Sequence, residues 1–265
     1  MNLYERKNYT LPVKYIFNSY IREYDISKAN INILLYKGII TEEEYIKLSM
    51  LSRRYRQVQI GYILKDEKIN NLFEEGLKEV RKSFIEMNGL EDSDILSIKN
   101  DAIYVINKIP NITRFGNVEF LLKNTYTSYM KIMDLEIYYG LNKQTQSEVI
   151  DIKGINDVKL ELHKNHMIQI ICDSLYFIST GDNNTVLDYI SDTYNKYLNK
   201  LLPIEYYRTF NSMSMYDITI GGHRYGLEYL SPTKENYDIL DISYNANIIR
   251  EIYGIIYNYI LGGRK

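Results

Sequence analysis

Residues 15–26 (YIFNSYIREYDI) place Tyr, Ile and Phe in partial alternation with polar residues, which predicts a strand ending near Asp25. Over residues 28–36 the apolar positions change to helical spacing, and Gly38 stops the helix. Thr41 with Glu44 three residues later is a capping box that opens the next helix. Its apolar positions Leu48, Leu51, Tyr55, Val58 and Tyr62 carry it to about Leu64. A further helix is predicted over residues 71–87, ending at Asn88-Gly89.

The strongest turn signal follows. Two apolar runs, Ile95-Leu96-Ser97-Ile98 and Ala102-Ile103-Tyr104-Val105-Ile106, flank Lys99-Asn100-Asp101 and predict a hairpin. Further strands are expected at 118–122, 126–132 and 135–139. Helical spacing returns at 158–178, 185–202 and 246–261. A Gly-rich, strand-like stretch at 216–230 carries Gly221-Gly222-His223-Arg224, and the polar stretch 141–156 is a soft boundary. The pattern predicts an α+β fold: an antiparallel sheet with helices on one face, then a mostly helical second half.

Composition narrows the class without naming a function. With 45% hydrophobic and 25% charged residues, the chain has the balance of a globular protein and apolar sequence for a core. A net charge of −2 gives no global positive field, so nucleic-acid binding requires a local basic patch. The single Cys172 lies in the apolar run 168–178 with no basic neighbour, which favours a buried thiol over a reactive one. The first ten residues carry Glu5, Arg6 and Lys7 with no apolar core, unlike a signal peptide, and no run is long enough to span a membrane. The expected location is cytoplasmic. Abundant Tyr, Ile, Asn and Lys without Trp suggests an AT-rich genome, as in bacteriophages of low-GC hosts.

Two segments carry chemistry together. In Tyr24-Asp25-Ile26-Ser27-Lys28-Ala29-Asn30-Ile31-Asn32-Ile33-Leu34 a carboxylate ends an apolar strand and a helix begins just beyond it. In Ser97-Ile98-Lys99-Asn100-Asp101-Ala102-Ile103-Tyr104-Val105 a carboxylate sits in a hairpin turn. Two-metal phosphoryl transfer uses carboxylates on rigid neighbouring elements, because ions about 4 Å apart clamp the attacking and leaving oxygens. Mg²⁺ suits such oxygen ligands and completes its shell with water and substrate phosphates.

The first segment resembles motif A of family B DNA polymerases, DxxSLYPSI, and fits the family A form DYSQIELRIL about as well. The second resembles motif C, YGDTDSIFV, with residues 99–105 on DTDSIFV. The resemblance covers roughly the first 140 residues and implies a polymerase palm, with Asp25 and Asp101 as catalytic Mg²⁺ ligands. It also implies a palm-like domain at 1–140 with minimal fingers at 41–88, and a thumb-like or accessory domain at 141–265. There are departures. Lys99 replaces the first Asp of DTD, Asn30 and Ile31 replace the Tyr and Pro that shape the sugar pocket, and no clear motif B is present. The nearest counterpart of motif B is the stretch 53–62. In an active enzyme Lys99 is expected to point away from the metals or to pair with a carboxylate such as Asp94. In a relic it pairs with Asp25 or Asp101.

Each residue also has a plainer reading. Asp25 can cap the following helix and Asp101 can serve the turn. Arg53, Arg54, Arg56 and Lys65 form a basic face, suited either to triphosphate or nucleic-acid phosphates or simply to solvent. Tyr126, Tyr129, Tyr138 and Tyr139 are either base-stacking platforms or half-buried sheet residues. His163 and His166 lack a third metal ligand, and the Gly-Gly-His-Arg stretch fits a hairpin turn as well as a phosphate loop.

The leading expectation is a metal-dependent nucleotidyltransferase of DNA-polymerase type that uses Mg²⁺, a nucleoside triphosphate and nucleic acid. One alternative is an inactive palm-like protein binding nucleic acid or a replication partner. Another is an unrelated interaction protein.

Overall fold

The computed structural model describes residues 2–145, 147–210, 217–226 and 237–262, and the chain divides into two compact units. The first comprises residues 1–12 and 20–125, the second residues 13–19 and 126–265. The architecture is α+β with antiparallel sheets, as the sequence pattern predicts.

In the first unit, β1 (Asn8–Thr10), β3 (Ile21–Ile26), the hairpin β4 (Ile95–Lys99) and β5 (Ala102–Ile106), β6 (Arg114–Phe115) and β7 (Val118–Tyr126) form a six-stranded sheet in the order β1-β4-β5-β3-β7-β6. Among the described residues the α-helices of this unit are α1 (Ala29–Tyr36), α2 (Glu42–Met50), α3 (Arg53–Ile63) and α4 (Glu67–Met87). Alternation along β3 sends Tyr24 and Ile26 into a core with Ile31, Ile33 and Leu34 of α1 and Leu77, Val80 and Phe84 of α4. Phe84 is fully buried and packs its ring 4.4 Å from that of Phe120 and 5.4 Å from that of Tyr24. By the same period of two, Glu23 and Asp25 occupy the opposite face of β3.

Local chemistry sets the element ends. The Thr41 capping box forms: its hydroxyl accepts from the Glu44 amide (3.3 Å) while the Glu44 carboxylate accepts from the Thr41 amide (2.8 Å). The single helix expected from there to Leu64 is two helices, because Leu51 and Ser52 are extended between them. Likewise the long strand expected at 15–26 is β2 (Tyr15–Ile16) and β3, parted near Asn18, whose φ of 53° is left-handed.

The second unit contains β2, β8 (Ser128–Ile132), β9 (Leu135–Asn142) and β10 (Ser147–Lys153) in the order β10-β9-β8-β2. It also holds α5 (Asp157–Leu162), α6 (Met167–Thr180), α7 (Asn183–Leu198), the hairpin β11 (Asp217–Ile220) and β12 (His223–Gly226), and α8 (Ser243–Gly262). The expected division at residue 140 therefore shifts to 125/126. The reason is pairing: β8 and β9 bond to each other, to β10 and to β2, not to the first sheet. The stretch 141–156 is not a linker, since most of it continues β9 and builds β10.

Phe84→Ala is expected to destabilise the protein by about 3–5 kcal/mol, the usual cost of emptying a buried Phe site. Urea denaturation of the variant against wild type measures it.

Candidate active site

The antiparallel register of β3 on β5 sets Asp25 opposite Ala102, next to Asp101 in the two-residue turn of the β4–β5 hairpin. The Ile26 amide donates to the Asp101 carbonyl at 3.2 Å, tying the end of β3 to that turn. Asp25 is a strand residue, and the N-cap position of α1 belongs to Lys28, so helix capping does not account for Asp25. Lys28 lies at φ 44°, ψ 45°, in the left-handed region that costs an L-residue roughly 1 kcal/mol. This corner swings the start of α1 back toward the carboxylates.

A cavity of about 310 Å³ opens at this corner. Its lining joins Asp25 and Asp101 with the cations Lys28, Arg53 and Arg56, and with Asn30, Gln57 and Ile60. A smaller cavity of about 220 Å³ shares Ala29, Asn30 and Asp101 with it and is also lined by Lys7, Phe73, Glu74 and Asn100. Residues from β3, the hairpin turn, the start of α1 and α3 therefore converge, although they are far apart in sequence.

Asp25 carries the electrostatic signature of the site. Burial first, then the charge of Asp101, pushes its carboxyl above the ordinary carboxylate range, while Lys123 pulls it down. Lys123 Nζ lies 3.6 Å from Asp25 Oδ2 and 3.3 Å from Glu23 Oε1. Glu23 is buried and also accepts from the Tyr104 hydroxyl (3.1 Å) and the Asn124 side chain (2.8 Å). A four-residue network on β3, β5 and β7 thus holds an ammonium beside Asp25.

Arg81 supports the other carboxylate. It lies on the buried stripe of α4, only 1% exposed, and donates from Nη1 to the Asn100 carbonyl at 2.7 Å. Its Nε and Nη2 have no hydrogen-bond partner among the described residues. Burial lowers its pKa, while Glu74 and Asp101 hold the charged form. Asn100 itself takes the left-handed conformation (φ 53°), which Asn tolerates in tight turns.

Of the predicted site residues, Asp25, Asp101, Arg53 and Arg56 come together in the cavity, whereas Arg54 and Lys65 do not line it. Lys65 lies just beyond α3, with its ammonium 4.6 Å from the centre of the Tyr62 ring. Lys99 donates to the Thr10 hydroxyl at 2.9 Å, and the expected partner Asp94 is bound by Lys108 at 2.7 Å. Sequence reasoning passed over Glu23, Lys123 and Arg81. One of them carried a signal: Arg81 stands on the apolar stripe of a helix, among Leu77, Val80 and Phe84.

The other candidates belong to the second unit. Tyr126, Tyr129, Tyr138 and Tyr139 are fully buried, so none of them is a surface for stacking bases. His163 is fully buried 5.0 Å from the Phe210 ring, and burial, then His166, lowers its pKa to about 4. The Cys172 thiol is buried and pushed up to about 12, chiefly by burial. Gly221 and Gly222, at φ 54° and 79°, form the tight turn of β11–β12, where non-Gly residues would be strained. Part of the predicted 216–230 stretch falls outside the described residues.

The model of the Bacteriophage PBS1 gene 130 protein family matches residues 1–257, so the chain belongs to that phage family. No curated protein matches it. No helix among the described residues is long and apolar enough to cross a membrane.

The raised pKa of Asp25 has a stability consequence. The native state holds the Asp25 proton more tightly than the unfolded chain does, so this group's contribution to stability falls as pH rises from the ordinary carboxylate value through the raised native one. Asp25→Asn is therefore expected to have a higher thermal midpoint than wild type at pH 7. The advantage should shrink as pH falls through that window, and melting curves across pH 3–7 (an interval of about four units around the carboxylate range) check the sign.

Proposed function

We propose that this phage protein is a metal-dependent nucleotidyltransferase of polymerase type, acting on a nucleoside triphosphate and a nucleic-acid strand in the host cytoplasm. The observation that carries the reading is the single cavity in which Asp25 and Asp101 meet Arg53 and Arg56. Carboxylates and guanidinium groups in one pocket suit a substrate that brings phosphates, since guanidinium forks bind phosphate oxygens in bidentate fashion. A cavity of about 310 Å³ is within the range of small-molecule sites.

The donor set fits Mg²⁺. Among the described residues no cluster of three His, Cys, Asp or Glu side chains is poised for a metal. Mg²⁺, however, is commonly held by one or two carboxylates, with water and substrate phosphates completing its shell. Burial first, and then the charge of Asp101, disfavours the Asp25 carboxylate, and a divalent cation would offset both. Asp25 and Asp101 would hold Mg²⁺, which would supply the charge neutralisation that phosphoryl transfer needs. The chain's own groups do the rest. Arg53 and Arg56 orient the triphosphate, the Arg81–Asn100 bond fixes the turn that presents Asp101, and Ile60 closes part of the pocket to water.

A second reading is favoured by Lys123. Its ammonium, 3.6 Å from Asp25, already gives that carboxylate a cation. In this reading the site is an inactive palm-like relic that binds nucleic acid or a replication partner.

Calorimetry with Mn²⁺ and a nucleoside triphosphate separates the two. In the polymerase-type reading, wild type binds both ligands, and Asp25→Asn and Asp101→Asn each weaken Mn²⁺ binding at least about tenfold, the loss of roughly one charge-assisted contact. The double variant Arg53→Gln/Arg56→Gln is expected to weaken the triphosphate while leaving Mn²⁺ unchanged. A folded wild type that binds neither ligand sinks the catalytic reading. In that case Lys123→Met should lower the thermal midpoint, because it leaves the buried Glu23 charge without its ammonium.

A further inference from the structure

Helix α3 has two opposed faces. At about 100° per residue, Arg53, Arg56, Gln57 and Ile60 share one side, and these are the α3 residues that line the carboxylate cavity. Tyr55, Val58 and Tyr62 share the other side, with 70%, 49% and 61% of their surfaces exposed. Arg54 lies at the edge of this outer stripe, and Lys65 rests over the Tyr62 ring. A surface helix ordinarily turns such a stripe inward and keeps its polar residues outside. Here the aromatic stripe faces outward.

Charge indicates what covers it. Residues 45–65 contain Lys47, Arg53, Arg54, Arg56 and Lys65 and not one Asp or Glu, in a chain whose net charge is −2. The occupant must therefore present flat apolar surface to the tyrosines and negative charge to the cations. A single-stranded nucleic acid offers both, because its unpaired bases expose π faces and its backbone exposes phosphates. A duplex hides its base faces, and an acidic protein surface presents rings only singly, where a strand repeats ring and phosphate at every step.

We propose that the outer face of α3 binds a single-stranded nucleic-acid segment, with Tyr55 and Tyr62 stacking on bases and Arg54 and Lys65 neutralising phosphates. Tyr55 and Tyr62 are about 10 Å apart along the helix axis, at 1.5 Å per residue. That is about three times the 3.4 Å step of a stacked strand, so the segment covers several nucleotides. This assignment deepens the polymerase-type reading and rests on it for the strand's role. One helix then carries the strand on its outer face and the nucleotide phosphates on its inner one.

The test uses the full chain and fluorescence anisotropy with labelled oligo(dT) and oligo(rU) of about 16 nucleotides, the upper site size of a single-strand binding module. Tyr55→Ala/Tyr62→Ala is expected to weaken binding of at least one oligomer about tenfold or more, with the thermal midpoint and salt dependence retained. Arg54→Gln/Lys65→Gln should flatten the plot of log affinity against log salt by about 1.4, for two phosphate contacts on a single strand. The two oligomers separate DNA from RNA as the source of the strand. Unchanged affinity in the folded tyrosine variant overturns the proposal, as does failure of wild type to bind either oligomer. A wild-type dimer in sedimentation that the tyrosine variant dissolves also overturns it, because the face then joins two copies of the chain. Strand binding that survives in Asp25→Asn/Asp101→Asn, without any triphosphate binding by wild type, sinks the catalytic reading alone. Triphosphate binding without strand binding sinks only the present inference.

Discussion

The pairing of β3 with β5 is the constraint on which the site depends. Because the register sets Asp25 opposite Ala102, the residue before Ala102 arrives beside Asp25, and the Ile26 amide bonds to that residue's carbonyl. A slip of one position would turn Asp25 into the core and bring Tyr24 out, since side chains alternate faces along a strand. The apolar set that opposes such a slip is the one packed on α1 and α4: Tyr24, Ile26, Ile103 and Val105. Core packing on one face of the sheet thereby fixes the chemistry on the other.

Around that pairing the unit gathers charges it would otherwise keep apart. Asp25 and Asp101 repel each other, and five cations from four elements answer them: Lys28, Arg53, Arg56, Arg81 and Lys123. Two of these placements cost stability. Lys28 occupies a left-handed conformation, and Arg81 is buried with two nitrogens lacking partners among the described residues. Strain and incomplete hydrogen bonding of this kind persist only where the surroundings over-determine them, and they concentrate at functional sites. Their coincidence with the carboxylate cavity at one corner of one sheet is the observation on which the proposed function builds.

That second unit is built on the opposite economy of charge. Its core joins Met130, Ile137 and Tyr139 of the sheet to Ile171, Leu175, Ile190 and Ile252 of the helices, and its tyrosines are used for packing. Tyr139 and Tyr189 bond their hydroxyls to Glu148 (2.6 Å) and Asp173 (2.7 Å), and burial raises both pKa values far above the ordinary tyrosine value. In a chain without Trp, Tyr supplies large rings, and a hydroxyl satisfied in this way lets it enter the core.

Local signals decided much by themselves. The 95–106 hairpin, the Thr41 capping box, the helix ending at Met87 and the strand ending just past Asp25 depend on turn chemistry, caps and short-range periodicity, all of which act within a few residues. The pair Asp25 and Asp101 was legible for the same reason, since each stands at a recognisable strand end or turn. The basic run 53–65 was legible as charge but not as geometry. Only the folding of α3 beside the carboxylates sent Arg53 and Arg56 inward and left Arg54 and Tyr55 out. The partners of Glu23, Lys123 and Arg81 were hidden because they lie 19 to 101 residues away in sequence. The unit boundary was misplaced because strand-like sequence does not say which sheet a strand joins, and β8 and β9 found their partners in β10 and β2. Periodicity and caps are properties of a segment, but pairing partners and the sign of a pocket's charge belong to the packed chain.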